Sequence, residues 1–86
     1  MYKVRISDKA LKEIARLDKK VAKQIMSKIE WLARNADLIK PLGLREELSD
    51  FSKLRVGDYR VLYLLNADDS IVDVHAVGHR SEIYKK

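Results

Sequence analysis

The pair Gly57-Asp58 stands between two strand-like runs, Phe51–Val56 and Tyr59–Leu65. A two-residue turn with glycine where φ is positive joins antiparallel strands without slack, so it fixes which residues oppose each other. Val56 then faces Tyr59, and Arg55 faces Arg60. Opposed residues project to the same side of a sheet, and residues two apart on one strand share that side. Lys53, Arg55 and Arg60 therefore form one cationic cluster. Leu54, Val56, Tyr59, Val61, Tyr63 and Leu65 fall on the other side, which is the natural core face. Like charges directly opposed cost stability. Their presence here points to an anionic ligand, and a cluster of cations suits a phosphate. The plain alternative is that both arginines splay into water.

The remaining elements follow from period and punctuation. Asn66–Ser70 reads as a polar turn, and Ser70–Gly78 as a last strand. Strict alternation sends Val72, Val74 and Ala76 to the core, and Asp73, His75, Val77 and His79 to the cationic face. Leu62 and Leu64 then line the floor or rim of that face. A β-bulge would shift this parity. At the start, Tyr2–Ile6 alternates apolar and basic residues as a half-buried strand does. Ser7 or Asp8 supplies an N-cap, and Leu11, Ile14 and Leu17 recur at helical spacing. Asp18 caps a second helix, whose stripe is Val21, Ile25, Ile29 and Leu32 and which ends near Arg34 or Asn35. Met26 and Trp31 lie off the stripe, where boundary packing is the simpler reading. Pro41 and Gly43 mark a connection before the polar run 45–47. The expected fold class is α+β, with two N-terminal helices packed on an antiparallel sheet in the order β-α-α-β-β-β, as one domain over residues 1–86.

Charge narrows the function. The net charge is +5, and residues 1–50 hold 12 basic and 8 acidic side chains against 6 and 5 thereafter. The excess gathers at Lys9, Lys12, Arg16, Lys19, Lys20, Lys23 and Lys28, a surface that attracts nucleic acid or an acidic protein. A solvated helix face gives the same pattern without a ligand. There is no cysteine, so neither a disulfide nor a thiolate metal site is expected. His75 and His79 are four apart, but on a strand, which does not make a metal site. No glycine-rich phosphate loop or Ser-His-acid set is present. A helix-turn-helix stays as a weaker reading, because the turn between the helices lacks a glycine. No apolar run approaches the ~18 residues of a membrane span, and MYKVRISDKAL lacks the core of a signal peptide. The expectation is a soluble cytoplasmic protein.

Three stretches resemble one family. YKVRISDKALKEIARLDKKVAKQI is similar to the opening of RelE-type toxins, a strand and then a helix with Ala-Leu-Lys-Glu/Asp. KLRVGDYRVLY resembles their Lys-Leu-Arg-x-Gly-x-Tyr-Arg-Leu-Val-Tyr hairpin. VGHRSEIY resembles their closing Gly-His/Lys-Arg-x-x-Val/Ile-Tyr. The resemblance covers nearly the whole chain in order and implies a member of the RelE/ParE toxin superfamily. It implies a RelE-like fold and a metal-independent, cofactor-free endoribonuclease that cleaves messenger RNA on the ribosome and so inhibits translation. The 2′-hydroxyl would attack the neighbouring phosphate and leave a cyclic phosphate.

Carried over by position, Lys53, Arg60, His79, Arg80 and Tyr84 form the catalytic set. Lys53 would serve as base where clustered cations disfavour its charged form. His79 would move a proton, the arginines would hold the phosphate, and Tyr84 would stack on a base. Arg55 matches a substrate-contacting basic position, and Lys20 and Lys23 on the basic helices would dock on RNA. The implied partners are a cognate acidic antitoxin, the ribosome and messenger RNA, with a toxin monomeric alone and hetero-oligomeric with its antitoxin. Phe51 departs from the pattern, since such toxins often carry a second lysine there. Two alternatives stay open: a ParE-like gyrase poison, and a catalytically weakened homologue acting as an antitoxin-binding module.

Overall fold

The computed structural model describes residues 2–38 and 52–83. The connection around Pro41 and Gly43, Phe51 and Tyr84 lie outside the described residues. The elements are β1 (Lys3–Ile6), α1 (Asp8–Ala15), α2 (Lys19–Asn35), β2 (Ser52–Val56), β3 (Tyr59–Asn66) and β4 (Ile71–His79). Each agrees with its expected span to within about two residues at either end. The helix starts are those the sequence signals: the Ser7 side chain accepts from the Ala10 N–H, and that of Asp18 from the Lys20 N–H. No helix among the described residues is long and apolar enough to cross a membrane.

The strands form one sheet in the order β1-β4-β3-β2. The pairs β2–β3 and β3–β4 are antiparallel, as expected. β1 corrects the expected antiparallel sheet, because it lies parallel to β4 and makes the sheet mixed. Alternation marks a strand but carries no direction. What fixes the direction is long range: the β1–β4 register places Arg5 beside Asp73, and the Arg5 Nε donates to Asp73 Oδ1 at 2.8 Å. Parallel neighbours need a long connection, and here it is all of α1, α2, β2 and β3.

The core lies between the helices and one face of the sheet. Ile25, Ile29 and Leu32 of α2 meet Val61, Tyr63, Val72 and Val74, all of them buried. Burying a side chain of this size is worth about 1.5–3 kcal/mol against leaving it in water. The α2 stripe is thus as expected, with Val21 and Met26 at its border. The α1 stripe is corrected. Ala10 is its fully buried residue, Ile14 and Leu17 are partly buried, and Leu11 is 50% exposed. Ala10, Ile14 and Leu17 are spaced four and three apart on one face, and Leu11 stands a residue off it. The small Ala10 lets α1 approach β4, the strand it packs on.

The β2–β3 turn is the one the sequence specifies. Gly57 has φ +61°, where an L-residue with a Cβ is strained by roughly 1–2 kcal/mol. Gly57→Ala should therefore lower the unfolding free energy by about 1 kcal/mol, and Gly57→Asn by less, because Asn tolerates this region. Denaturant unfolding of the three proteins measures it, and equal midpoints would contradict it. Tyr63 gives a second test. It is 7% exposed, and burial pushes its phenol above the ordinary value, partly offset by a hydrogen bond with Ser52. Below an ordinary tyrosine pKa of about 10 both states keep the proton and Tyr63 contributes no pH dependence. Above it the unfolded chain releases the proton first, so stability falls as pH rises toward the folded value. Unfolding midpoints from pH 8 to 11 should fall more steeply for wild type than for Tyr63→Phe; parallel curves would contradict the assignment.

Candidate functional site

Register on the hairpin is the expected one. Arg55 faces Arg60, and Lys53 faces Leu62, which places Lys53, Arg55 and Arg60 on the sheet face turned away from the helices. Lys53 and Arg55 are exposed, and Arg60 is half-buried. Leu64, expected at the rim, is 44% exposed. The Arg60 guanidinium folds back onto the turn. One of its terminal nitrogens donates to the Gly57 carbonyl at 3.0 Å and to the Tyr59 carbonyl at 2.9 Å. This fixes the plane of the group and leaves the N–H groups on its other two nitrogens for an anion.

The same turn receives Arg80 from the end of β4. The Arg80 N–H donates to the Asp58 carbonyl at 2.8 Å, and its Nε lies 3.9 Å from Asp58 Oδ1. Both side chains of that pair are exposed, so it contributes little stability. Its value is placement. The turn at Gly57-Asp58 brings together two arginines that are twenty residues apart in sequence.

β4 departs from strict alternation. Tyr63 pairs with Val74 and Leu62 with Ala76, so His75 is an extra residue in a β-bulge. Beyond it every side chain changes face relative to the unbulged reading. Asp73, before the bulge, keeps its expected place beside Leu64 on the cationic face. Val77 is corrected: it is buried in the core opposite Val61. His79 is corrected too: it sits opposite Tyr59 on the helix side, where the two rings meet edge to face at 5.4 Å. His79 therefore does not share a face with Lys53, Arg55 and Arg60. Its Nδ1 accepts from the Ser81 N–H at 3.0 Å and lies 2.8 Å from Ser81 Oγ. An accepting Nδ1 leaves the ring proton on Nε2. The ring thereby shapes the turn that follows β4.

That turn explains the closing sequence. Its N–H groups at Glu82 and Ile83 both donate to the His79 carbonyl at 2.8 Å. The turn carries Ile83 over Gly78, which faces Arg60 on the cationic side. A Cβ on Gly78 would stand 3.1 Å from Ile83 Cδ1. Glycine and the apolar residue five positions on are thus a packed pair. Tyr84, the next residue of the expected set, lies outside the described residues.

Lys20 and Lys23 are not part of this face. With Gln24, Ser27, Lys28, Trp31 and Val56 they line a groove of about 480 Å³ between α2 and the edge of β2. Trp31 is 40% exposed there, with Lys28 Nζ 4.5 Å from the ring centroid. Two further contacts of consequence escaped the sequence reading, which named Ser7 only as an N-cap. Glu13 Oε1 accepts from the Val77 N–H at 2.7 Å, and Ser7 Oγ donates to the His75 carbonyl at 2.9 Å. The signal for Glu13 was its place in the Ala-Leu-Lys-Glu pattern. Only a fold in which α1 crosses β4 gives that acid a task.

Comparison with known proteins agrees with this fold. Residues 4–84 match the model of the family described as the ParE toxin of type II toxin-antitoxin system, parDE. The chain is 31% identical to the protein named "Putative toxin RelE4" of Methanocaldococcus jannaschii, over all of this chain and 94% of that one. Its fold is similar to the RelBE2 toxin–antitoxin complex of Mycobacterium tuberculosis, with a TM-score of 0.74 and 28% identity over 92% of this chain and 98% of that one. It is similar also to the isolated E. coli RelE toxin, with a TM-score of 0.73 and 27% identity over 98% of this chain and 92% of that one. The chain belongs to the RelE/ParE superfamily of toxins from type II toxin–antitoxin systems.

Proposed function

We propose that this toxin is a ribosome-dependent messenger RNA endonuclease, kept inactive by an acidic antitoxin. The observation that carries the reading is the opposed pair Arg55 and Arg60 with Lys53 on the same face and Arg80 drawn to the same turn. Such a cluster is costly for a fold alone and well matched to the charge of a phosphorane. In the proposed reaction the ribose 2′-oxygen attacks the adjacent phosphorus and the bond from phosphorus to the 5′-oxygen breaks. The products are a 2′,3′-cyclic phosphate and a free 5′-hydroxyl. One proton leaves the 2′-hydroxyl and one reaches the 5′-oxygen. Arginine stays charged, so Arg60 and Arg80 stabilise the phosphate oxygens and Lys53 is the group of the cluster that exchanges a proton. Arg55 holds a flanking phosphate, and Tyr84 stacks on a base next to the cut.

His79 takes a different part from the one its motif implies. With its ring on the helix side, it acts by shaping the turn that delivers Arg80 and Ile83. Lys20, Lys23 and Lys28 with Trp31 offer a second, separate contact to ribosomal RNA, where lysines meet phosphates and the indole is available to a base. The RelBE2 complex supports an antitoxin partner for this chain, and its own charge of +5 suits an acidic one. A second reading comes from the family description itself, which is that of ParE toxins: a gyrase poison would trap cleaved DNA and leave RNA intact.

Purified protein added to ribosomes translating a defined message should produce new 5′ ends, and few without ribosomes. Arg60→Ala should slow cutting by about 100-fold, the usual scale for losing a donor to a developing anion. An intact message with wild type overturns the nuclease reading, and trapped gyrase–DNA complexes in a parallel reaction would put the ParE-like reading in its place.

A further inference from the structure

We propose that Glu13 is a positioning residue, which sets where Arg80 stands relative to Arg60 by holding the bulged register of β4. Its effect on cleavage rests on the function proposed above; its effect on the strand does not.

β1 pairs with β4 only as far as Ile6 opposite Val74, and the Ser7 N–H closes the pairing on the Val74 carbonyl at 3.0 Å. β4 runs on to His79. Past Val74, its outer edge has no strand beside it among the described residues, and buried peptide groups left unpaired are costly. Side chains of the following helix fill the gap. Ser7 Oγ accepts from the Ala10 N–H at 3.0 Å and donates to the His75 carbonyl at 2.9 Å. One turn and a half further along, Glu13 Oε1 takes the Val77 N–H at 2.7 Å, while Lys9 holds its other oxygen at 2.8 Å. A carboxylate accepting a half-buried backbone N–H makes a strong hydrogen bond of this kind.

These contacts bracket the bulge. Without the extra residue at His75, Val77 would face Arg60 and Gly78 would turn to the core. Arg80 would then stand one residue further past the turn, out of register with Asp58. With it, Gly78 faces Arg60 and seats Ile83, and the Arg80 N–H reaches the Asp58 carbonyl. Glu13 accepts at Val77, the second residue after the extra one, so it favours the bulged register over the slipped one. It touches neither arginine and acts on them through the strand.

Two substitutions separate reach from charge. Glu13→Gln keeps an oxygen at the same distance and loses the charge. Glu13→Asp keeps the charge and shortens the reach by one methylene. Amide exchange followed by NMR should show Val77 exchanging about tenfold faster in Glu13→Asp than in wild type, with Lys3 and Val61 amides little changed. Glu13→Gln, which keeps the reach and weakens the bond, should lose clearly less protection than Glu13→Asp. On translating ribosomes, Glu13→Asp should lower kcat about tenfold with KM little altered, since docking is untouched. Equal effects of the two substitutions, or a larger loss with Gln, would overturn the proposal. So would parallel loss of protection at Lys3, Val61 and Val77, which marks a general loss of stability. If wild type cuts no message, the function reading fails, and Val77 exchange still decides whether Glu13 holds the register.

Discussion

The bulge in β4 opposite Leu62 and Tyr63 decides the face that each later residue presents, and the site depends on that choice. β4 is the strand that everything meets: β1 on one edge, β3 on the other, α1 across it. One inserted residue turns Val77 into the core and Gly78 toward Arg60. It also sends Arg80 to the hairpin turn. A one-residue change in a strand exchanges both faces at once, so this single irregularity separates a sheet with a closed C-terminal seat from one with glycine wasted against the helices.

The hairpin contributes the other half. Gly57 and Asp58 join β2 to β3 so tightly that Arg55 and Arg60 have no register other than face to face. The turn then gives its carbonyls to both arms of the site, Gly57 and Tyr59 to the Arg60 side chain and Asp58 to the Arg80 backbone. Two neutral carbonyls thereby orient the Arg60 guanidinium without neutralising it, while Arg80 is placed through its backbone and its side chain pairs with the exposed Asp58 carboxylate. At Arg60 that suits a phosphate, since an orienting carboxylate would compete with it.

Much of this was legible in the sequence because it is local. The two helix caps at Ser7 and Asp18, the α2 stripe and the Arg55–Arg60 pairing all follow from residues within a few positions of each other. The misreadings were of long-range origin. The parallel sense of β1 depends on a partner nearly seventy residues away, exemplified by Arg5 and Asp73. The bulge at His75 carries no glycine or proline to announce it, so Ala76, which faces Leu62 on the cationic side, was sent to the core, and Val77 and His79 were sent to the wrong face. Leu11 looked like a core residue because Ala10, which takes that place, carries so little side chain. The motif singled out Arg80, and the contact that holds it at the hairpin turn, from its N–H to the Asp58 carbonyl, is visible only in three dimensions.

The central claim is that the cationic face serves internal attack by a ribose hydroxyl on the next phosphate. The most direct test is to map the cut made by wild type on ribosomes, then place a single 2′-deoxynucleotide on the 5′ side of that cut. The account predicts that cutting at this position disappears while cuts elsewhere on the message continue. Unchanged cutting at the substituted position would contradict it.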